Sequence, residues 1–219
     1  MSTPLDLRQI EKKVFRATYE DGLWDVYVGG IVASMAMLAY LPEEDPSRFL
    51  RYGLFLLGIA ASFLVFRLGK KLITEPRLGK VVFGSLRKRR KATLAAILGG
   101  IVGLQALIVL GTILLWNNPQ WAESLGLAGS QPAFERLLIA VVGALFVGPS
   151  MTLVAYFNDF PRGYYIAVLM SLAVFMFIWF RSPLPLLVTA ALIFIPGVVL
   201  FIRFLLKYPL PPAEAQHGG

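Results

Sequence analysis

Residues 23–41 read LWDVYVGGIVASMAMLAYL. The stretch carries a single charge, Asp25, close to its start. A bilayer hydrocarbon core is about 30 Å thick and takes about 20 mostly apolar residues as a helix, because open backbone finds no hydrogen-bond partner in lipid. Residues 23–41 meet that requirement. Working outward, five further stretches meet it: about 50–69, 93–116, 134–157, 163–180 and 186–206. The sequence therefore predicts an all-α integral membrane bundle of six transmembrane helices over 23–207. A cytoplasmic segment at 1–22 precedes it, and a disordered tail at 208–219 follows.

Composition agrees. Apolar residues make up 57% of the chain and charged residues 16%, against about 45–50% and 25% in soluble domains. Mean hydropathy is +0.69. There is no cysteine, and the single histidine, His217, lies in the C-terminal HGG. Disulfides, thiol catalysis, and histidine metal or acid–base centres in the membrane are thereby excluded, and no metal or cofactor is expected. The first 20 residues are polar and charged, so no cleavable leader is expected. Within them Leu7, Ile10 and Val14 share one helical face, which predicts a short amphipathic helix over residues 5–19.

Residues 69–91, GKKLITEPRLGKVVFGSLRKRRK, hold nine Lys or Arg against one acid, Glu75. That net charge of +8 equals the charge of the whole chain. In a soluble protein RKRRK would suit nucleic acid. Here it abuts the third span, where it opposes translocation and attracts anionic lipid by about 1 kcal/mol per residue. With the N-terminus inside, 17 of the 21 basic residues fall on the inner side and four on the outer, so both termini are expected in the cytoplasm. Within the segment, TEPRLG reads as a turn, with Pro76 breaking the helix and Gly79 permitting a bend.

The candidate sites fall in three groups. The lipid- or partner-facing residues are Lys70, Lys71, Arg77, Lys80, Arg87, Lys88, Arg89, Arg90 and Lys91. Asp21, Asp25, Arg67, Asp159, Arg162 and Arg203 gather at the inner span ends, where an ion-pair network is the expected reading, since lone charges there are costly. Gln105, Ser150, Thr152 and Asn158 would line a pocket if Pro149 and Pro196 broke the fourth and sixth spans; plain kinks are the simpler reading. No ionisable group sits at mid-span, which weighs against a proton-coupled carrier. Small residues recur at four-residue spacing in Gly30/Ser34, Gly58/Ser62, Gly99/Gly103, Ala144/Gly148 and Ala167/Ser171, a spacing that lets helix backbones approach.

EDGLWD before the first span, LITEPRLGKVVFG after the second, DFPR before the fifth and IRFLLKYPLP at the end resemble a group of small multi-pass bacterial membrane proteins with DGLWD-like and T-x-P-R-x-G elements. The resemblance covers nearly the whole chain. It implies six spans in a bacterial inner membrane and brings no activity, so no catalytic residue is carried over. The functional expectation is a non-enzymatic accessory, scaffold or regulatory membrane protein. Its basic face would contact anionic lipid, with a protein partner or a second copy of the chain as further contacts and no nucleic acid. The alternative is a transporter or channel for a small or lipid-like solute; a lipid-modifying enzyme is the third class.

Overall fold

The computed structural model describes residues 19–40, 47–78, 85–118, 120, 124 and 132–209. Six helices are long and apolar enough to cross a membrane. They are α1 (Leu23–Tyr40), α2 (Ser47–Gly69), α4 (Ser85–Asn117), α5 (Pro132–Phe157), α6 (Arg162–Phe180) and α7 (Leu184–Lys207), with a short α3 (Glu75–Leu78) after α2. The amphipathic helix expected at 5–19 and the tail beyond residue 209 lie outside the described residues.

Two expectations change. The turn expected at TEPRLG is helical as far as Leu78: α2 passes directly into a π-helical turn, Lys70–Thr74, and then into α3. Pro76 falls near the end of this continuous helix, which stops two residues later at Leu78; its missing N–H removes one intrahelical bond there. Second, α4 begins at Ser85, eight residues before the expected start, and takes in the whole RKRRK cluster. Lys and Arg are good helix formers, and the hydrophobic run that follows carries the helix onward. α5 and α7 run without interruption through Pro149 and Pro196, so the alternative of broken spans at these prolines is not what the helices show.

The chain divides into two compact units. The first contains α1, α2, α3 and α7 together with residues 158–160; the second contains α4, α5 and α6. In the first unit α1 packs against both α2 and α7. Its buried residues Asp25, Val28, Gly29, Val32 and Ala36 recur at helical spacing and make one continuous face. Opposite them stand Leu186, Ala190, Ile193 and Phe204 of α7.

Contact between α1 and α7 is backbone-close. A Cβ at Gly29 would stand 2.8 Å from Phe194 Cβ, and one at Gly197 would stand 2.8 Å from Asp25 Cβ and Val26 N. Gly22 has φ +72°, a conformation that favours glycine, and a Cβ there would overlap the Gly197 carbonyl oxygen.

The α1–α2 contact uses reciprocal small residues. Gly30 faces Ser62, and Gly58 faces Ser34. Each serine hydroxyl is closed onto its own helix, Ser34 Oγ donating to Gly30 O and Ser62 Oγ to Gly58 O, both at 2.8 Å. The facing surfaces therefore pack without a free donor. Gly30→Val would press on Ser62 and is expected to destabilise by about 1–3 kcal/mol, read from unfolding in mixed detergent–SDS micelles.

In the second unit α5 and α6 also meet through small residues, here with a hydrogen bond between the helices. Ser171 Oγ donates to Ala144 O at 2.9 Å, and a Cβ at Gly148 would stand 3.0 Å from Ser171 Oγ. Four of the five small-residue pairs are thus helix seats. The fifth, Gly99/Gly103 on α4, has nothing within 4 Å.

Candidate functional site at the start of the first span

The most concentrated polar chemistry in the first unit surrounds Asp21. The sequence Asp21–Gly22–Leu23 starts α1: Asp21 Oδ1 accepts the Leu23 backbone N–H at 3.2 Å, and Val26 N–H donates to Gly22 O at 3.1 Å. An aspartate here satisfies one of the amides that a helix start leaves open. Its other oxygen, Oδ2, accepts Lys70 Nζ and Thr74 Oγ1, each at 2.7 Å. Asp21 is fully buried, while the Lys70 side chain is 23% exposed. A buried carboxylate with three donors has little capacity left for an external ligand.

Lys70 and Thr74 bound the π turn, whose closing bond runs from Glu75 N–H to Lys70 O. Turns of this kind insert one residue and occur often where function or strain demands it. Here the π turn presents an amine and a hydroxyl, four residues apart, to one oxygen. Gly69, immediately before it, lets the end of α2 reach Leu23; a Cβ there would stand 2.9 Å from the leucine methyls.

Aromatic rings wall the cluster. Lys70 Nζ lies 5.7 Å from the Tyr19 ring centre and 5.9 Å from that of Phe66, within cation–π range. Trp24 packs edge-on against Tyr19, Phe66 and Phe160. Tyr19 donates its hydroxyl to Asn158 Oδ1 at 3.0 Å, fastening the 158–160 turn to this unit. Asp159 in that turn has φ +49°.

Asp21 pairs with Lys70, which the sequence reading placed among the lipid-facing cations. Asp25 is buried against Gly197. Arg67 and Arg203 are exposed, and the Arg67 guanidinium lies 6.0 Å over the Phe63 ring. Asp159 and Arg162 are half-buried. Arg77 donates to Ile73 O at 2.9 Å, and Lys71, Arg89 and Lys91 are exposed. Arg87, Lys88 and Arg90 stand on α4, and Lys80 lies outside the described residues.

The four pocket residues divide between the two units. Asn158 belongs with Tyr19 in the first unit. In the second, a groove of about 600 Å³ runs between α5 and α6, with Gly148, Pro149 and Thr152 on one wall and Ala167, Ser171 and Phe175 on the other. Thr152 lines it; Gln105 and Ser150 do not. Its hydroxyls are turned inward, Thr152 Oγ1 donating to Gly148 O at 2.9 Å and Ser171 as described above. A smaller depression of about 330 Å³ beside Pro196 is formed by α7 alone. Among the described residues, no three Asp, Glu or His side chains converge on a metal position.

No family model, curated protein or solved structure matches the chain.

Proposed function

We propose that this chain is a non-enzymatic accessory or scaffold protein of a bacterial inner membrane, with both termini in the cytoplasm and a basic inner face that contacts anionic phospholipid. The observation that carries the reading is the position of Arg87–Lys91 in the opening turns of α4. A helix N-terminus bears partial positive charge, and cations in its first turn are disfavoured by about 0.3–1 kcal/mol each. Arg87 and Lys88, in that first turn, stand against this preference, and Arg89–Lys91 follow in the second turn. Phosphate groups of the inner leaflet supply the compensating charge, at about 1 kcal/mol per basic residue.

A protein partner docking on the same face would use the same charge. A carrier for a polar solute has less support, because the groove between α5 and α6 is apolar and its hydroxyls are already bonded to backbone. An enzyme has less support as well, because the buried carboxylate of Asp21 is filled by its three donors.

The reading is tested with the full chain in vesicles of phosphatidylcholine with and without phosphatidylglycerol. Replacing Arg87–Lys91 by Gln is expected to reduce co-purified phosphatidylglycerol at least tenfold relative to phosphatidylcholine, with the effect shrinking in high salt. Unchanged lipid composition would leave the cluster with a topological role only.

A further inference from the structure

The π turn after α2 sorts the basic residues around it. Lys70 turns inward to Asp21, and Thr74 follows it. Gly69 and Thr74 are buried, whereas Arg67, Leu68, Lys71 and Leu72 are all exposed. These four make one face, two cations interleaved with two leucines that are 43% and 62% exposed. Neither Arg67 nor Lys71 meets a carboxylate among the described residues, although Glu75 lies four residues beyond Lys71. Cations beside outward leucines suit an interface where leucine enters the acyl boundary and the charge stays among phosphates.

We infer that Arg67 and Lys71 form a docking site for the phosphodiester of one inner-leaflet anionic phospholipid, with Leu68 and Leu72 against its acyl chains. The inference rests on the inner orientation and lipid contact proposed above, and it adds a discrete site to a diffuse one. Charge complementarity selects the occupant. Arg67 offers a planar fork of donors and Lys71 a mobile ammonium, a combination that holds one phosphate from two sides. The site is held ready by groups that never touch lipid: the bonds from Lys70 and Thr74 to Asp21 set the turn that leaves Lys71 outward.

Native mass spectrometry of the full chain, released from nanodiscs containing phosphatidylglycerol and phosphatidylcholine, reads the occupancy. The intact protein is expected to retain one phosphatidylglycerol after the remaining lipid is stripped. Arg67→Gln with Lys71→Gln is expected to bind that lipid about thirtyfold more weakly (about 2 kcal/mol). Both residues are exposed, so an unchanged melting temperature verifies the fold. Arg203→Gln with Lys207→Gln removes the same charge from the end of α7 in the same unit and is expected to leave the retained lipid in place.

Equal losses in the two double variants would reduce the effect to net charge and overturn the site. Retention unchanged in the Arg67/Lys71 variant but lost on neutralising Arg87–Lys91 would overturn it while sparing the broader lipid-contact reading. If neither variant altered the preference for phosphatidylglycerol, both would fall. A bound mass corresponding to inorganic phosphate, with no phospholipid, would overturn the assignment of a lipid occupant.

Discussion

Asp21→Ala is expected to be the most destabilising single change in the first unit, at about 3–5 kcal/mol. The substitution removes the acceptor for three donors at once: the Leu23 amide, Lys70 Nζ and Thr74 Oγ1. The amide loses its cap, which alone costs about 1 kcal/mol. Thr74 is buried and would be left with an unsatisfied hydroxyl. Lys70 fares better because it is 23% exposed and can turn toward water, so the loss tends to the lower part of that range. Asp21→Asn separates charge from geometry. Its amide oxygen still accepts from Leu23 or Thr74, and the expected cost falls to about half. Equilibrium unfolding in mixed micelles, followed by Trp24 fluorescence, gives both numbers; equal stability of the Ala variant and the parent would show that the cluster carries no folding energy.

Gly197→Leu is the second large effect. Its side chain would have to occupy space that Asp25 Cβ and Val26 N hold at 2.8 Å from the Cβ position. One of these atoms is backbone, so no rotamer change can make room, and α7 must move away from α1. Overpacking typically costs about 1–3 kcal/mol, and a forced separation along a helix pair reaches the top of that range or beyond. The control is Gly103→Leu on α4, where nothing lies within 4 Å. There the larger residue is expected to be neutral or slightly stabilising, since glycine is a poorer helix former by about 1 kcal/mol. Thermal stability in detergent separates the two substitutions, and similar losses from both would contradict the packing described for α1 and α7.

The helices themselves were legible because the bilayer imposes a length and an apolarity that local sequence must satisfy. Observed starts fall within three residues of the expected ones for five spans. The exception is the start of α4, where charge masked the helix: a hydropathy window ends at RKRRK, whereas helix propensity does not. The turn at Glu75–Leu78 was misjudged for a related reason. Proline was read as a terminator, but the helix continues through Pro76 and stops two residues later at Leu78. Four of the five small-residue pairs proved to be helix seats, since close approach requires small side chains wherever it occurs. Their spacing could not say which helix each pair would meet.

Sequence alone determined that this is a helical chain with six helices long and apolar enough to cross a membrane and a concentrated basic segment, because length, hydrophobicity and charge are properties of contiguous residues. Only the tertiary structure decided that Asp21 takes its cation from Lys70 and its hydroxyl from Thr74, 49 and 53 residues away. It also decided that α7 lies against α1 and that Lys70 and the adjacent Lys71 face different surroundings. Each of these depends on which backbones approach closely enough to exclude side chains, and on one inserted residue in a turn. Such facts are set by the fit between distant segments and leave no periodic trace in either one.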